Sequence, residues 1–231
     1  MSLIVALDYS DLESCRRLIR ELEGLTSFYK IGSELFTSHG WNAVDLVQGL
    51  GGRVFLDLKL HDIPTTVART ARVIAEREVF MFNVHALGGL EMMKAAREAV
   101  DEGSFGKSKP LLIAVTILTS LKQKTLSEEL GIQRPIREEV RVLAHKAKEA
   151  GLDGVVSSPE ETEFLRREFE KPFLLVTPGI RPVGSEKNDQ ARSLSPKEAL
   201  QRGADYLVVG RPVTQAPSPR RALEDILKSL R

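Results

Sequence analysis

The segment Asp57-Leu58-Lys59-Leu60-His61-Asp62-Ile63-Pro64 carries two carboxylates and an ammonium within six positions. Asp57 and Lys59 are two apart in an apolar run, so strand alternation points both side chains to one face. Charged groups are rarely buried without partners. An inward Asp-x-Lys therefore needs a reason, and so does Lys30 at the end of another apolar run. A lysine ammonium pinned by carboxylates is a fixed positive charge and a proton source. It suits a reaction that builds negative charge and then needs a proton. Asp62 falls beyond the strand, in the turn before a helix whose first turn accepts Pro64. For Asp62 alone, a position near a helix start is the ordinary reading.

These residues must be held by the elements around them. Short apolar runs occur at 3–7, 27–31, 53–58, 79–84, 111–116, 153–157, 173–176 and 205–209, and they read as strands buried on both faces. Amphipathic segments near 11–23, 34–50, 65–77, 89–102, 135–150, 159–169, 195–202 and 218–230 read as helices. Ser158-Pro159 and Ser195-Pro196 mark helix starts, and Gly24, Gly151 and Gly203 mark helix ends. Eight strand–helix units imply an α/β fold, a single-domain (β/α)8 TIM barrel over residues 1–231. An open doubly wound sheet usually has a glycine-rich loop after its first strand, where this chain has Asp8-Tyr9-Ser10-Asp11. In a barrel the site lies at the C-terminal strand ends. The polar residues there are Asp8, Lys30, Asp57, Lys59, His85, Thr116, Ser157, Thr177 and Arg211.

Composition narrows the function classes. The 231 residues are 42% hydrophobic and 28% charged with net charge +1, so no global field marks nucleic acid or an anionic membrane as a partner. The single cysteine, Cys15, reads as a small buried apolar residue in a reducing compartment. The opening apolar run is too short for a secretory signal, and no stretch approaches membrane-spanning length. The expected location is the cytoplasm. His39 and His145 fall on predicted helices, and His61 and His85 flank the charged cluster. No Cys/His set has zinc spacing, so no metal is expected. Trp41, Phe36, Met92 and Met93 read as helix packing.

The run Asp57-x-Lys59-x-x-Asp62-Ile63-Pro64-x-Thr66 closely resembles the central motif of the orotidine 5'-phosphate decarboxylases. The resemblance continues in order through Ala6-Leu7-Asp8, Tyr29-Lys30-Ile31-Gly32, Asn83-Val84-His85-Ala86 and Thr116-Ile117-Leu118-Thr119-Ser120. It extends through Thr177-Pro178-Gly179-Ile180-Arg181-Pro182 and Val208-Val209-Gly210-Arg211-Pro212. It spans nearly the whole chain and is to the stand-alone bacterial form.

That resemblance implies conversion of orotidine 5'-monophosphate to uridine 5'-monophosphate and CO2, the last step of UMP biosynthesis, without metal or organic cofactor. It implies Lys59 as the group that stabilises and protonates the ring carbanion, with Asp57, Lys30 and Asp62 completing an alternating-charge array. Asp8 and Lys30 match the family's ribose contacts, and Thr119 and Ser120 its contact to the pyrimidine edge. Pro178, Arg181, Gln190, Gly210 and Arg211 fall among its substrate contacts, the last four around the phosphate. The polar loop 179–194 reads as a phosphate-clasping lid. The resemblance also implies a homodimer, with Asp62 and Thr66 reaching the other subunit's site. Leu60 and Ile63 are candidates for apolar surface beside the substrate or for core.

Two other readings stay open on the sequence. Magnesium-dependent sugar-phosphate decarboxylases and aldolases share an Asp-x-Lys-x-x-Asp strand but place a carboxylate where Lys30 stands. A nucleotide-binding sensor without catalysis is the other, and the intact Asp57, Lys59 and Asp62 weigh against it.

Overall fold

Valine, isoleucine and leucine dominate the eight apolar runs, and β-branched residues pack well on a pleated surface. The computed structural model describes residues 2–180 and 195–230, and in it every one of these runs is a strand. They are β1 (Ser2–Ala6), β2 (Phe28–Gly32), β3 (Arg53–Leu60), β4 (Met81–His85), β5 (Leu111–Val115), β6 (Gly154–Val156), β7 (Leu174–Thr177) and β8 (Tyr206–Val209). Each pairs in parallel with the next, and β8 returns to β1 through Leu3 opposite Leu207 and Val5 opposite Val209. The sheet closes into the expected barrel, which leaves no edge strand unpaired.

Period-two alternation divides the core. Leu3, Val5 and Leu7 face outward into the layer shared with the helices, whereas Ile4 and Ala6 face the barrel axis. The axial cluster also holds Phe55, Met81, Ile113, Val176 and Val208. At the N-terminal strand ends Phe28 and Phe80 meet edge to face with centroids 4.8 Å apart, beside Tyr206. The Arg53 guanidinium lies over the Phe80 ring at 4.4 Å. That plug fills one end of the barrel and leaves the other for a site.

Around the sheet run α1 (Leu12–Glu21), α2 (Ser33–His39), α3 (Trp41–Gly49), α4 (Pro64–Glu76), α5 (Gly89–Gly103), α6 (Ile136–Glu149), α7 (Pro159–Glu168), α8 (Pro196–Gln201), α9 (Arg211–Thr214) and α10 (Pro219–Ser229). The proline-led starts of α7 and α8 are present. Glu161 accepts the Ser158 N–H at 2.8 Å, and Glu198 accepts the Ser195 N–H at 3.0 Å. The segment expected as one helix over 34–50 is two, because Gly40 adopts φ 54°, ψ −137° and turns the axis. α9 and a π-helical turn at Thr125–Glu129 were not anticipated. One turn is too short to show a hydrophobic period.

Among the described residues no helix is long and apolar enough to cross a membrane. Cys15 is fully buried, and burial pushes its thiol pKa up to about 11. It behaves as the small apolar residue expected.

Candidate active site

A cavity of roughly 270 Å³ opens at the C-terminal strand ends, opposite the aromatic plug. Its wall is apolar where the axial cluster continues upward, through Ala6, Phe55, Val115, Ile117, Val156, Val176 and Val208. Its charged side is built by β1, β2 and β3. Asp8 and Lys30 continue the inward parity of Ala6 and Phe28, and Asp57 that of Phe55.

These side chains form a line of alternating charge. Lys30 Nζ lies 3.5 Å from Asp8 Oδ1 and 3.4 Å from Asp57 Oδ2. Lys59 Nζ donates to Asp57 Oδ1 at 2.7 Å. Burial works to raise the Asp57 pKa. The ammonium groups of Lys30 and Lys59, with hydrogen bonds from Lys59 and Asn83, outweigh it and hold the carboxyl below the usual aspartate value. Asp57 is thus a buried anion, and Lys59 is tethered to it.

The route to this arrangement is not simple alternation. Leu56 pairs with Phe82 and Leu60 with Val84, so four residues of β3 span two of β4. The two extra residues keep the inward parity of Lys59 but force it to φ 50°. A left-handed conformation costs a non-glycine residue roughly 1–2 kcal/mol. Such strain persists where surrounding contacts over-determine it. The contact here is Asn83 on β4. Its Oδ1 accepts the Lys59 N–H at 2.7 Å, and its Nδ2 donates to Asp57 Oδ1 at 2.7 Å. Asn83 is not among the residues expected at the site. A polar residue at an inward position of the otherwise apolar Met81-Phe82-Asn83-Val84 was the available signal.

Of the residues expected at the site, Asp8, Lys30, Asp57, Lys59, Thr119, Pro178, Gly210 and Arg211 line this cavity. Ser120, Asp62 and Thr66 are exposed and are not part of its lining. Asp62 does not cap α4. Its Oδ1 accepts the N–H of Ile63, the residue before the helix, at 2.6 Å. Ile63 is 65% exposed and Leu60 packs on the outer core, so neither supplies cavity wall. Arg181, Gln190 and the loop 179–194 from Arg181 onward lie outside the described residues. Gly179 and Ile180, at its start, line the cavity.

Three strand-end residues turn elsewhere. Thr116 Oγ1 donates to Val156 O at 3.1 Å, and Thr177 Oγ1 lies 3.2 Å from Thr162 Oγ1 on α7. His85 is buried, accepts the Leu87 N–H on Nδ1 at 3.3 Å, and stacks on His61 with centroids 5.4 Å apart. Burial first, and then the neighbouring His61 and Lys59, push its pKa down to about 4. Ser157, in contrast, lines the cavity. Among the described residues no group of three His, Cys, Asp or Glu converges in a metal-binding arrangement.

Gly210, at the end of β8, comes so close to β1 that a Cβ there would lie 2.9 Å from Asp8 Oδ2. It is followed by Arg211 at the start of α9, which places a guanidinium and a short helix start at the mouth beside β7 and β8.

Known proteins share this sequence and this fold. An orotidine 5'-phosphate decarboxylase of Moorella thermoacetica is 48% identical over 226 residues, covering 97% of this chain and 90% of its own. One of Saccharophagus degradans is 51% identical over 224 residues, covering 97% and 92%. The crystal structure of orotidine 5'-phosphate decarboxylase from Lactobacillus acidophilus superposes with a TM-score of 0.88 at 39% identity, covering 99% of this chain and 98% of that one. Residues 1–226 match the sequence model described as Orotidine 5'-phosphate decarboxylase / HUMPS family. With that match running almost end to end and the charged array in place at the barrel mouth, the chain belongs to this family.

Proposed function

We propose that this protein decarboxylates orotidine 5'-monophosphate to uridine 5'-monophosphate and CO2, the closing step of UMP biosynthesis, in the cytoplasm. The observation that carries the reading is the line Asp8–Lys30–Asp57–Lys59, with every neighbouring pair within 3.5 Å. When the bond to CO2 breaks, its electron pair stays on a ring carbon in an orbital that conjugates poorly with the ring. A fixed ammonium facing that carbon stabilises the charge without reorganising, because its tether is already made. Lys59 then gives a proton to the same carbon and recovers one from solvent. Asp57 keeps Lys59 charged and aimed.

Asp8 and Lys30 hold the ribose in this reading, and Thr119, with Ser120 beside it, faces the pyrimidine edge. Pro178 borders the ring. Gly210 and Arg211 receive the phosphate, with Arg181 and Gln190 closing over it from the loop 179–194. Phosphate binding far from the reacting carbon then helps to lower the chemical barrier. Asp62 and Thr66 complete the site of a second subunit in a homodimer. Their exposure and the 65% exposure of Ile63 between them support that assignment.

The magnesium-dependent alternative asks for a carboxylate where Lys30 stands. Here the Lys30 ammonium sits between two carboxylates and occupies that space with positive charge. Uridine 5'-monophosphate formation in the presence of EDTA tests the choice: undiminished turnover is expected, and loss restored by magnesium would reverse it. Lys59→Ala is the control. It is expected to lose turnover almost completely while still binding the product nucleotide, and a turning-over variant removes Lys59 from its role.

A further inference from the structure

We propose that Asn83 is a positioning residue for the decarboxylation, a two-armed clamp that sets where the Lys59 ammonium points. The proposal rests on the decarboxylase reading above. Its basis is the mismatch between β3 and β4, where four residues of one strand span two of the other. Across that stretch β3 cannot use the regular main-chain ladder. The Asn83 side chain stands in for it.

The two arms are identifiable from the chemistry of their partners. A main-chain N–H only donates, so the Asn83 atom 2.7 Å from Lys59 N is the carbonyl oxygen. An ionised carboxylate only accepts, so the atom 2.7 Å from Asp57 Oδ1 is the amide nitrogen. One planar amide thereby fixes the backbone of Lys59 and the carboxylate that tethers its ammonium. Asp57 Oδ1 receives two donors, Lys59 Nζ and Asn83 Nδ2, each at 2.7 Å. Oδ2 is left toward Lys30 at 3.4 Å. Asn83 is 1% exposed, so water does not replace its side chain readily. It does not line the cavity and therefore acts through Asp57 and Lys59.

Asparagine meets this demand as few side chains do. Leucine keeps the volume and loses both arms. Aspartate keeps the shape and the arm to Lys59 N–H, but when ionised it presents a carboxylate to Asp57 instead of a donor. When protonated it regains a donor and becomes the closest mimic of the amide. The charged and titratable groups gathered around this spot are Asp8 just after β1, Lys30 on β2, Asp57 and Lys59 on β3, His61 after it and His85 on β4. Placed beside ionised Asp57 in a buried setting, the introduced carboxyl is expected to titrate well above the usual aspartate range.

The test compares the full-length wild type, Asn83→Ala and Asn83→Asp. It measures turnover of orotidine 5'-monophosphate from pH 5.5 to 9 and binding of uridine 5'-monophosphate by calorimetry. For Asn83→Ala a fall in kcat of roughly 100-fold is expected, with product binding within about threefold of wild type, since small displacements of a catalytic group cost this much. For Asn83→Asp the ratio of variant to wild-type kcat is expected to rise as pH falls, by up to about tenfold per unit while the pH is above the pKa of the introduced carboxyl, and to level off below it. Wild-type kcat in both variants would overturn the clamp. So would parallel losses of kcat and binding with a pH profile that follows the wild type, since that is the signature of general structural damage. Should Asn83→Ala fail to fold, the isosteric Asn83→Asp profile decides alone. A wild type that does not act on orotidine 5'-monophosphate sinks the decarboxylase reading, whereas either of the two overturning outcomes, seen beside an active wild type, sinks the clamp alone.

Discussion

Lys30 Nζ lies 3.4 Å from Asp57 Oδ2, which joins the second strand to the third by a contact between a half-buried ammonium and a buried carboxylate. The same ammonium reaches Asp8 at 3.5 Å. Lys30 is thus the hinge of the array. Removing it leaves two carboxylates without the cation between them. Lys30→Met keeps the length and apolar stem and removes the charge. With Lys30 gone, the Asp57 carboxyl rises toward the ordinary aspartate value or beyond, because burial then meets less opposition. The expected result is a loss of turnover of 100-fold or more, accompanied by an acid limb in the kcat profile displaced to higher pH. A profile superposable on the wild type would remove Lys30 from the electrostatics of Asp57.

Acid should weaken the fold in two stages. His85 is held neutral, with its pKa pushed down to about 4 from an ordinary 6.5. Between these values the unfolded chain takes up a proton that the folded chain refuses, so stability falls as pH drops from about 6.5 to about 4. The loss is on the order of 3 kcal/mol in total. Below that window Asp57, whose pKa is lowered, adds its own loss as acid protonates it. Denaturant midpoints recorded from pH 7.5 to 4 check the first stage. In His85→Gln the upper slope should flatten, and an unchanged slope would assign it to other groups.

Gly210→Ala separates positioning from folding. Its φ of −118° is negative, so a side chain there is not forced into the left-handed region. The added methyl meets the end of the Asp8 side chain at 2.9 Å. Asp8 can swing aside at small cost, which moves its carboxylate relative to Lys30. The melting temperature should change little, while kcat/KM falls by roughly ten- to 100-fold. Equal kcat/KM in variant and wild type would show that Asp8 and the mouth tolerate the shift.

Sharing of sites between subunits has a direct arithmetic. Lys59→Ala and Asp62→Ala are each expected to be nearly inactive as pure preparations. Unfolded and refolded together in equal amounts, half of the dimers carry one variant of each kind. Each mixed dimer then has one site with both defects and one with neither, so about a quarter of wild-type activity returns. No recovery on mixing, with dimers present by light scattering, would place Asp62 in its own subunit's site.

Much of the barrel is legible in the sequence alone. Parallel strands buried on both faces write continuous apolar runs, and each run came out as a strand within a few residues of its expected limits. Helix starts with Ser-Pro were legible for the same local reason. The single helix expected over 34–50 failed at Gly40, where apolar spacing continues across a residue whose dihedrals break the axis. Asp8, Lys30 and Asp57 could be assigned inward because a period of two survives along each strand.

Local pattern and ordered motifs therefore determined the architecture, the mouth of the barrel as the site, and the residue types gathered there. They act over a few neighbours, and the chain carries that information in its spacing. Only the tertiary structure decided how Lys59 reaches Asp57. The two surplus residues of β3, the φ of 50° at Lys59 and the amide of Asn83 beneath them arise from pairing between strands more than twenty residues apart. No periodicity along one strand reports how it is offset against the next.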